Sequence, residues 1–162
     1  MNIESEVQPD PHKAIVPIAF LLGTWTGEGS GHYPSIDDFV YREESRFWHD
    51  GRPFLFYMQR TWSPKDETAM HTESGYWRPQ RDGSIEVVIA HNFGIVEVQE
   101  GTIDGTTIEL RSAVVKPTSS AKKVEGLARK YIVDGDSLVY DLQMAFGDFE
   151  LQPHLHAELN RS

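Results

Sequence analysis

Seven histidines and no cysteine set the reactive inventory of this chain. His71 and Glu73 lie two residues apart, so on a strand they share a face. That pair reads as a polar pocket pair, with Glu73 orienting His71 as a general base, or as a cross-strand hydrogen-bonded pair. His91 precedes Asn92 at a strand end, where a cavity mouth and a turn-stabilising role are both open. His154 and His156, in Gln152-Pro153-His154-Leu155-His156, also share a face, so both rings could meet one metal. A zinc site would need a third ligand, and no H-E-x-x-H or H-x-E spacing supplies one. A single neutral imidazole is enough for a haem iron, with the pocket supplying the rest. Taken alone, however, a strand histidine is more often structural than a ligand. His12 and His49 read as solvated, and His32 as a surface group at a strand end.

The elements that must position these side chains are strands. Residues 21–36 hold Gly23-x-Trp25-x-Gly27-x-Gly29, followed by Tyr33-Pro34-Ser35-Ile36. In a strand, residues 23, 25, 27 and 29 share one face. One Trp among positions with almost no side chain suits the first strand of a small closed barrel, with Trp25 plugging one end and the glycines admitting another backbone or a ligand. Pro34 ends that strand. Residues 14–22 read as a short helical segment lying against one end.

Strand patterns follow over 39–50, 53–62, 70–79, 85–91, 95–99, 106–115, 124–133, 138–146 and 150–160. Between them stand turn signals such as Asp50-Gly51, Asp104-Gly105 and Asp134-Gly135. No helical period is sustained. The expectation is an all-β fold, a ten-stranded antiparallel up-and-down barrel of the lipocalin or fatty-acid-binding-protein type. Eight strands can already enclose one small ligand, so ten imply a cavity.

At 162 residues the chain reads as one domain over 1–162, with a loose segment at 1–12. Its formal charge of −10, from 15 basic and 25 acidic residues, argues against nucleic acid and against an anionic membrane surface. The acidic start has no signal-peptide layout. Together with the absence of cysteine this fits a cytoplasmic protein. A homodimer is compatible with the chain.

Gly23-Thr24-Trp25-Thr26-Gly27-Glu28-Gly29 resembles the G-x-W-x-G-x-G motif of the nitrobindin family, and Tyr33-Pro34-Ser35-Ile36 its Tyr-Pro-Thr-Ile. The resemblance runs from about Pro17 to Arg161. It includes Gly51-Arg52-Pro53-Phe54-Leu55, His71-Thr72-Glu73-Ser74-Gly75-Tyr76, the segment from Gly94 to Gly101, and Leu142-Gln143-Met144. It implies one haem b per chain, with His154 of the His154-Leu155 pair as axial ligand to the iron and Ser35 near the haem. It assigns no distal histidine to His71 or His91. It also implies ferric haem, reversible binding of nitric oxide, and isomerisation of peroxynitrite to nitrate. The chemistry would occur at the iron, with no catalytic side chain. The alternative is a carrier of an apolar small molecule such as a fatty acid. That reading needs an inward Arg or Tyr for the carboxylate, and Arg60, Arg78 and Arg129 lie on strands.

One pattern runs against a ligand role for His154. Leu151, Leu155, Ala157 and Leu159 share one strand face, while His154, His156 and Glu158 share the other. Simple burial would turn His154 outward. A bulge near Pro153, or a position at the barrel rim, would be needed to turn it in.

Overall fold

The computed structural model describes residues 9–162. Residues 1–8, part of the segment expected to be loose, lie outside that range. Lys13–Leu21 forms a 3-10 helix. Its buried residues Ile15, Ile18 and Leu21 recur every third position, the turn of this helix type. His12 caps it: Nδ1 accepts the Ala14 N–H at 3.1 Å. His12 is therefore a half-buried cap, not the solvated group its neighbours in sequence implied.

Ten strands follow: β1 (Gly23–Tyr33), β2 (Ile36–Trp48), β3 (Leu55–Trp62), β4 (Ala69–Pro79), β5 (Ser84–His91), β6 (Ile95–Asp104), β7 (Thr107–Pro117), β8 (Val124–Asp134), β9 (Ser137–Phe146) and β10 (Phe149–Arg161). Each pairs antiparallel with the next. β10 closes the barrel on β1, in a register running from Trp25 opposite Arg161 to Gly31 opposite Leu155. Gly105, Gly135 and Gly147 open two-residue turns at φ of +59°, +57° and +60°, the conformation that a Gly-first hairpin turn requires. Among the described residues no helix is long and apolar enough to cross a membrane.

The helix covers one end of the barrel and packs on β4. Beneath it Trp25, Trp77, Phe47, Leu55 and Ile85 are buried in one apolar cluster with Ile15, Ile18 and Leu21. Trp25 is tied in from two sides. Its Nε1–H donates to the Leu21 carbonyl at 2.8 Å, and the Arg161 guanidinium lies 4.1 Å from its ring centroid. His49, at the end of β2, is also buried, with Nδ1 accepting the Gly51 N–H at 3.3 Å. His49 is therefore not the solvated group that its place beside a turn implied.

The glycine face of β1 points inward, and two of its positions show why no side chain fits. A Cβ on Gly29 would occupy the place of the Tyr41 ring, and one on Gly31 that of the Phe39 ring. The aromatic rings of β2 therefore lie flat over β1, and form the wall of the space beyond.

Candidate functional site

The barrel end away from the helix is open. There the starts of β2, β4, β6 and β8 and the ends of β3, β5 and β9 surround a cavity of about 250 Å³. Phe39, Met70, Leu127, Leu142, Met144 and Leu155 supply apolar walls, and His71, His91 and His154 line it too.

His154 enters the cavity through an irregularity in β10. Pro153 stands opposite Gln143 and Leu155 opposite Leu142, so His154 is an extra residue with no partner on β9. Such a bulge shifts the alternation of side chains by one. C-terminal to it Ala157 and Leu159 point into the core, as expected. At the bulge His154 turns in and lines the cavity beside Leu155. Gln152 pairs with Met144, which lines the cavity.

The His154 ring is held on its other edge as well. Its Nδ1 lies 3.0 Å from the His32 carbonyl oxygen. Only a protonated Nδ1 can make that bond, so the neutral ring keeps its lone pair on Nε2. Burial pushes the imidazole below its usual range, outweighing the carbonyl's opposite pull. Tyr33 and Phe39 meet the ring edge-on, at centroid distances of 5.3 and 6.3 Å. The result is a fixed, neutral imidazole with one nitrogen free, the state in which histidine binds a metal.

The other expected residues separate cleanly. His156 points outward and pairs with Asp141 at 2.7 Å; hydrogen bonding to that carboxylate raises its pKa. His32 is an exposed rim group 2.5 Å from Asp38. Ser35 is exposed in the turn between β1 and β2, two residues beyond the buried Tyr33. Gly23, Gly27 and Gly29 lie along β1, with Trp25 at the closed end.

Below the cavity runs a polar belt. Arg129 is buried between two carboxylates, with Nη1 2.6 Å from Glu73 and Nη2 2.6 Å from Glu97. Tyr57 donates to Glu73 at 2.8 Å. Burial pushes the Glu73 carboxyl up, but Arg129, His71 and His91 together outweigh it and hold the group well below the usual carboxylate range. Glu43 accepts from Ser45, Gln59 and Tyr140 at 2.7, 2.9 and 2.6 Å. With no cation beside it, burial raises Glu43 to about 6. His71 Nε2–H donates to Glu73 Oε2 at 3.2 Å along the same strand, so the two form a pocket pair rather than a cross-strand one.

These contacts bear on the carrier alternative. Arg60 and Arg78 are exposed and paired with Glu44 and Glu86. Arg129 already serves two carboxylates. No arginine among these three is left to receive a fatty acid, and the surplus of buried acid disfavours another anion.

Glu43, Glu97, Gln99 and the role of Arg129 escaped the sequence reading. Glu97 and Gln99 alternate with Val96 and Val98, so the hydrophobic pattern of β6 reads inside out. The available signal was the register: Glu97 sits opposite Ile89 and Gln99 opposite Val87, both core residues of β5.

Residues 14–161 match the family described as THAP4-like, heme-binding beta-barrel domain. A protein of Arabidopsis thaliana named peroxynitrite isomerase Rv2717c is 47% identical, over 94% of this chain and 92% of its own. Peroxynitrite isomerase 1 of Mycolicibacterium paratuberculosis is 45% identical, over 94% and 97%. The crystal structure of Rv2717c from M. tuberculosis superposes with a TM-score of 0.89 at 42% identity, covering 94% of this chain and 99% of that one.

Proposed function

Because this chain belongs to the nitrobindin family, the THAP4-like heme-binding β-barrels, we propose that its cavity holds one ferric haem b and that the loaded protein isomerises peroxynitrite to nitrate and reversibly binds nitric oxide. The observation that carries this reading is His154: a bulge turns it into the cavity, and the His32 carbonyl fixes its proton on Nδ1. Its Nε2 would hold the iron. The donor fits the group, since a neutral imidazole held by a carbonyl is a strong and well-oriented nitrogen ligand. The apolar walls fit the face of a macrocycle. Ser35, in the exposed turn beyond Tyr33, would contact the group at its rim.

When bound, the haem iron would supply Lewis-acid chemistry. Peroxynitrite and nitrate have the same atoms, charge and electron count, so the conversion consumes no proton or electron. The chain therefore needs no general acid or base. Its residues bind and orient: His154 positions the group, Tyr33 and Phe39 hold the His154 ring, and Leu127, Leu142, Met144 and Leu155 keep water and side reactions out.

Haem reconstitution tests the reading. The purified chain should develop a Soret band at one equivalent and then speed nitrate formation from peroxynitrite. His154→Ala should remove the axial-nitrogen signature and most haem retention; His156→Ala should do neither. A spectrum lost in His156→Ala and kept in His154→Ala would move the role to His156. No haem binding by the parent chain would return the argument to an apolar carrier.

A further inference from the structure

Across the barrel from His154 the cavity wall carries His71, Glu73 and His91. His154 is on β10; His71 and Glu73 are on β4 and His91 on β5. In the closed order of strands β5 is five places from β10 in either direction, so the cluster faces His154 across the one cavity that both line.

Three of its atoms form a nearly equilateral triangle. His71 Nε2 is 3.2 Å from Glu73 Oε2. His91 Nδ1 is 3.2 Å from the same oxygen. The two ring nitrogens are 3.1 Å apart. A tetrahedral ion with bonds of about 2.0 Å sets its ligand atoms about 3.3 Å from one another.

Protons do not satisfy this triangle. If both ring nitrogens donate to Glu73, their N–H groups confront each other along the third edge. If one is left unprotonated, its lone pair faces the other nitrogen's proton along one edge and the carboxylate along another. Meanwhile the outward nitrogens find nothing: His71 Nδ1 and His91 Nε2 are buried without a hydrogen-bond partner. Glu97 Oε2, also without one, waits 3.6 Å from His91 Nε2. An ion at the centre resolves the triangle and gives one of the two outward nitrogens a partner. The three inward atoms offer lone pairs, the ring protons move to the outward nitrogens, and His91 Nε2–H gains Glu97 as acceptor, the carboxylate–histidine–metal arrangement that orients such ligands.

Charge points the same way. Glu73 and Glu97 outnumber Arg129, so the buried cluster carries a net −1 before His is counted. Arg129 and Tyr57 occupy Glu73 Oε1 at 2.6 and 2.8 Å, and Arg129 Nη2 approaches Oε2 at 3.2 Å. These contacts fix the carboxylate and leave one lone pair of Oε2 for the ion.

We propose that His71, Glu73 and His91 form a binding site for a first-row divalent transition metal on the cavity wall, separate from the group held by His154. Two imidazoles and a carboxylate are a donor set for zinc or ferrous iron. The three ligands occupy one side of the ion and leave a fourth position toward the cavity. The site does not rest on the haem reading.

The test uses the full chain without haem, titrated with Zn²⁺ by calorimetry and with Co²⁺ by visible absorption. The expected result is one equivalent of either ion, with intense d–d bands marking four-coordinate Co²⁺. His71→Gln and His91→Gln, each checked for β-sheet circular dichroism, should each weaken binding by about 100-fold. His154→Ala should bind Co²⁺ as the parent does while losing haem, which separates this site from the haem reading. The outward trio of His156, Asp141 and Glu158 is the competing surface site. Binding lost in His156→Ala or His154→Ala and retained in His91→Gln would overturn the proposal. So would the absence of saturable one-equivalent binding by the parent chain, whether or not any variant folds.

Discussion

At the helix end of the barrel, Trp25, Trp77 and Phe47 fill the space between strands with apolar side chains, and the 3-10 helix seals it. At the other end the same strands carry three histidines, a cavity and a belt of buried charge. The closed end contributes burial, which is non-directional and scales with apolar area. The open end holds buried polar groups at fixed positions, and each of them costs stability unless it finds a partner. One end therefore sets the stability from which the other can depart.

The largest effect should come from removing the plug. Trp25→Ala should lower unfolding free energy by about 3–5 kcal/mol, read by urea denaturation, while the folded fraction keeps any haem affinity. Unchanged stability would mean that the helix alone closes the barrel. Gly27→Ala tests the seam between the two ends. Its Cβ would run into the Glu158 carbonyl of β10, so a loss of about 1–3 kcal/mol is expected. An Ala tolerated there would show that β1 and β10 can move apart.

Glu43 tests the charged belt through pH. Its carboxyl rises from 4.5 to about 6 on folding, so the folded state holds the proton more tightly than the unfolded one. That stabilises the fold below pH 4.5 and is lost as the pH climbs through about 6, a change on the order of 2 kcal/mol. Glu43→Gln should flatten that segment of a stability–pH curve relative to the parent.

His154 should matter least to the fold. His154→Ala removes one hydrogen bond to the His32 carbonyl and should cost at most about 1.5 kcal/mol. Its pKa is depressed by burial from 6.5, so the sign is opposite to that of Glu43. The unfolded chain takes up a proton near pH 6.5 that folded His154 refuses, and stability falls as the pH drops below that value. The variant should lose this acid-side decline. If His154→Ala instead destabilised as much as Trp25→Ala, the two ends would not be functionally distinct.

Much of the fold was legible in the residues. Gly105, Gly135 and Gly147 mark turns because only glycine readily takes their positive φ, and the alternating spacing of Gly23, Trp25, Gly27 and Gly29 marks a strand with one inward face. These signals are local: a turn or strand is specified within a few residues, so strand number and order could be read along the chain. The helix at residues 13–21 was equally visible, though its three-residue turn, shown by Ile15, Ile18 and Leu21, was not.

The aim of a side chain across the barrel wall was a different matter. His154 follows the polar face of β10 in sequence, and only its pairing with β9 shows that Gln143 and Leu142 skip it and turn it inward. Glu97 and Gln99 look exposed beside Val96 and Val98 until β5 fixes their register and Arg129 arrives from β8 to neutralise the acid. His71 and His91 are twenty residues apart and meet only because β4 and β5 pair with Glu73 opposite His91. The sequence by itself determined the strands, their turns and the family. The tertiary structure decided which polar groups are buried and what they face, because burial belongs to a pair of surfaces and neither strand carries it alone.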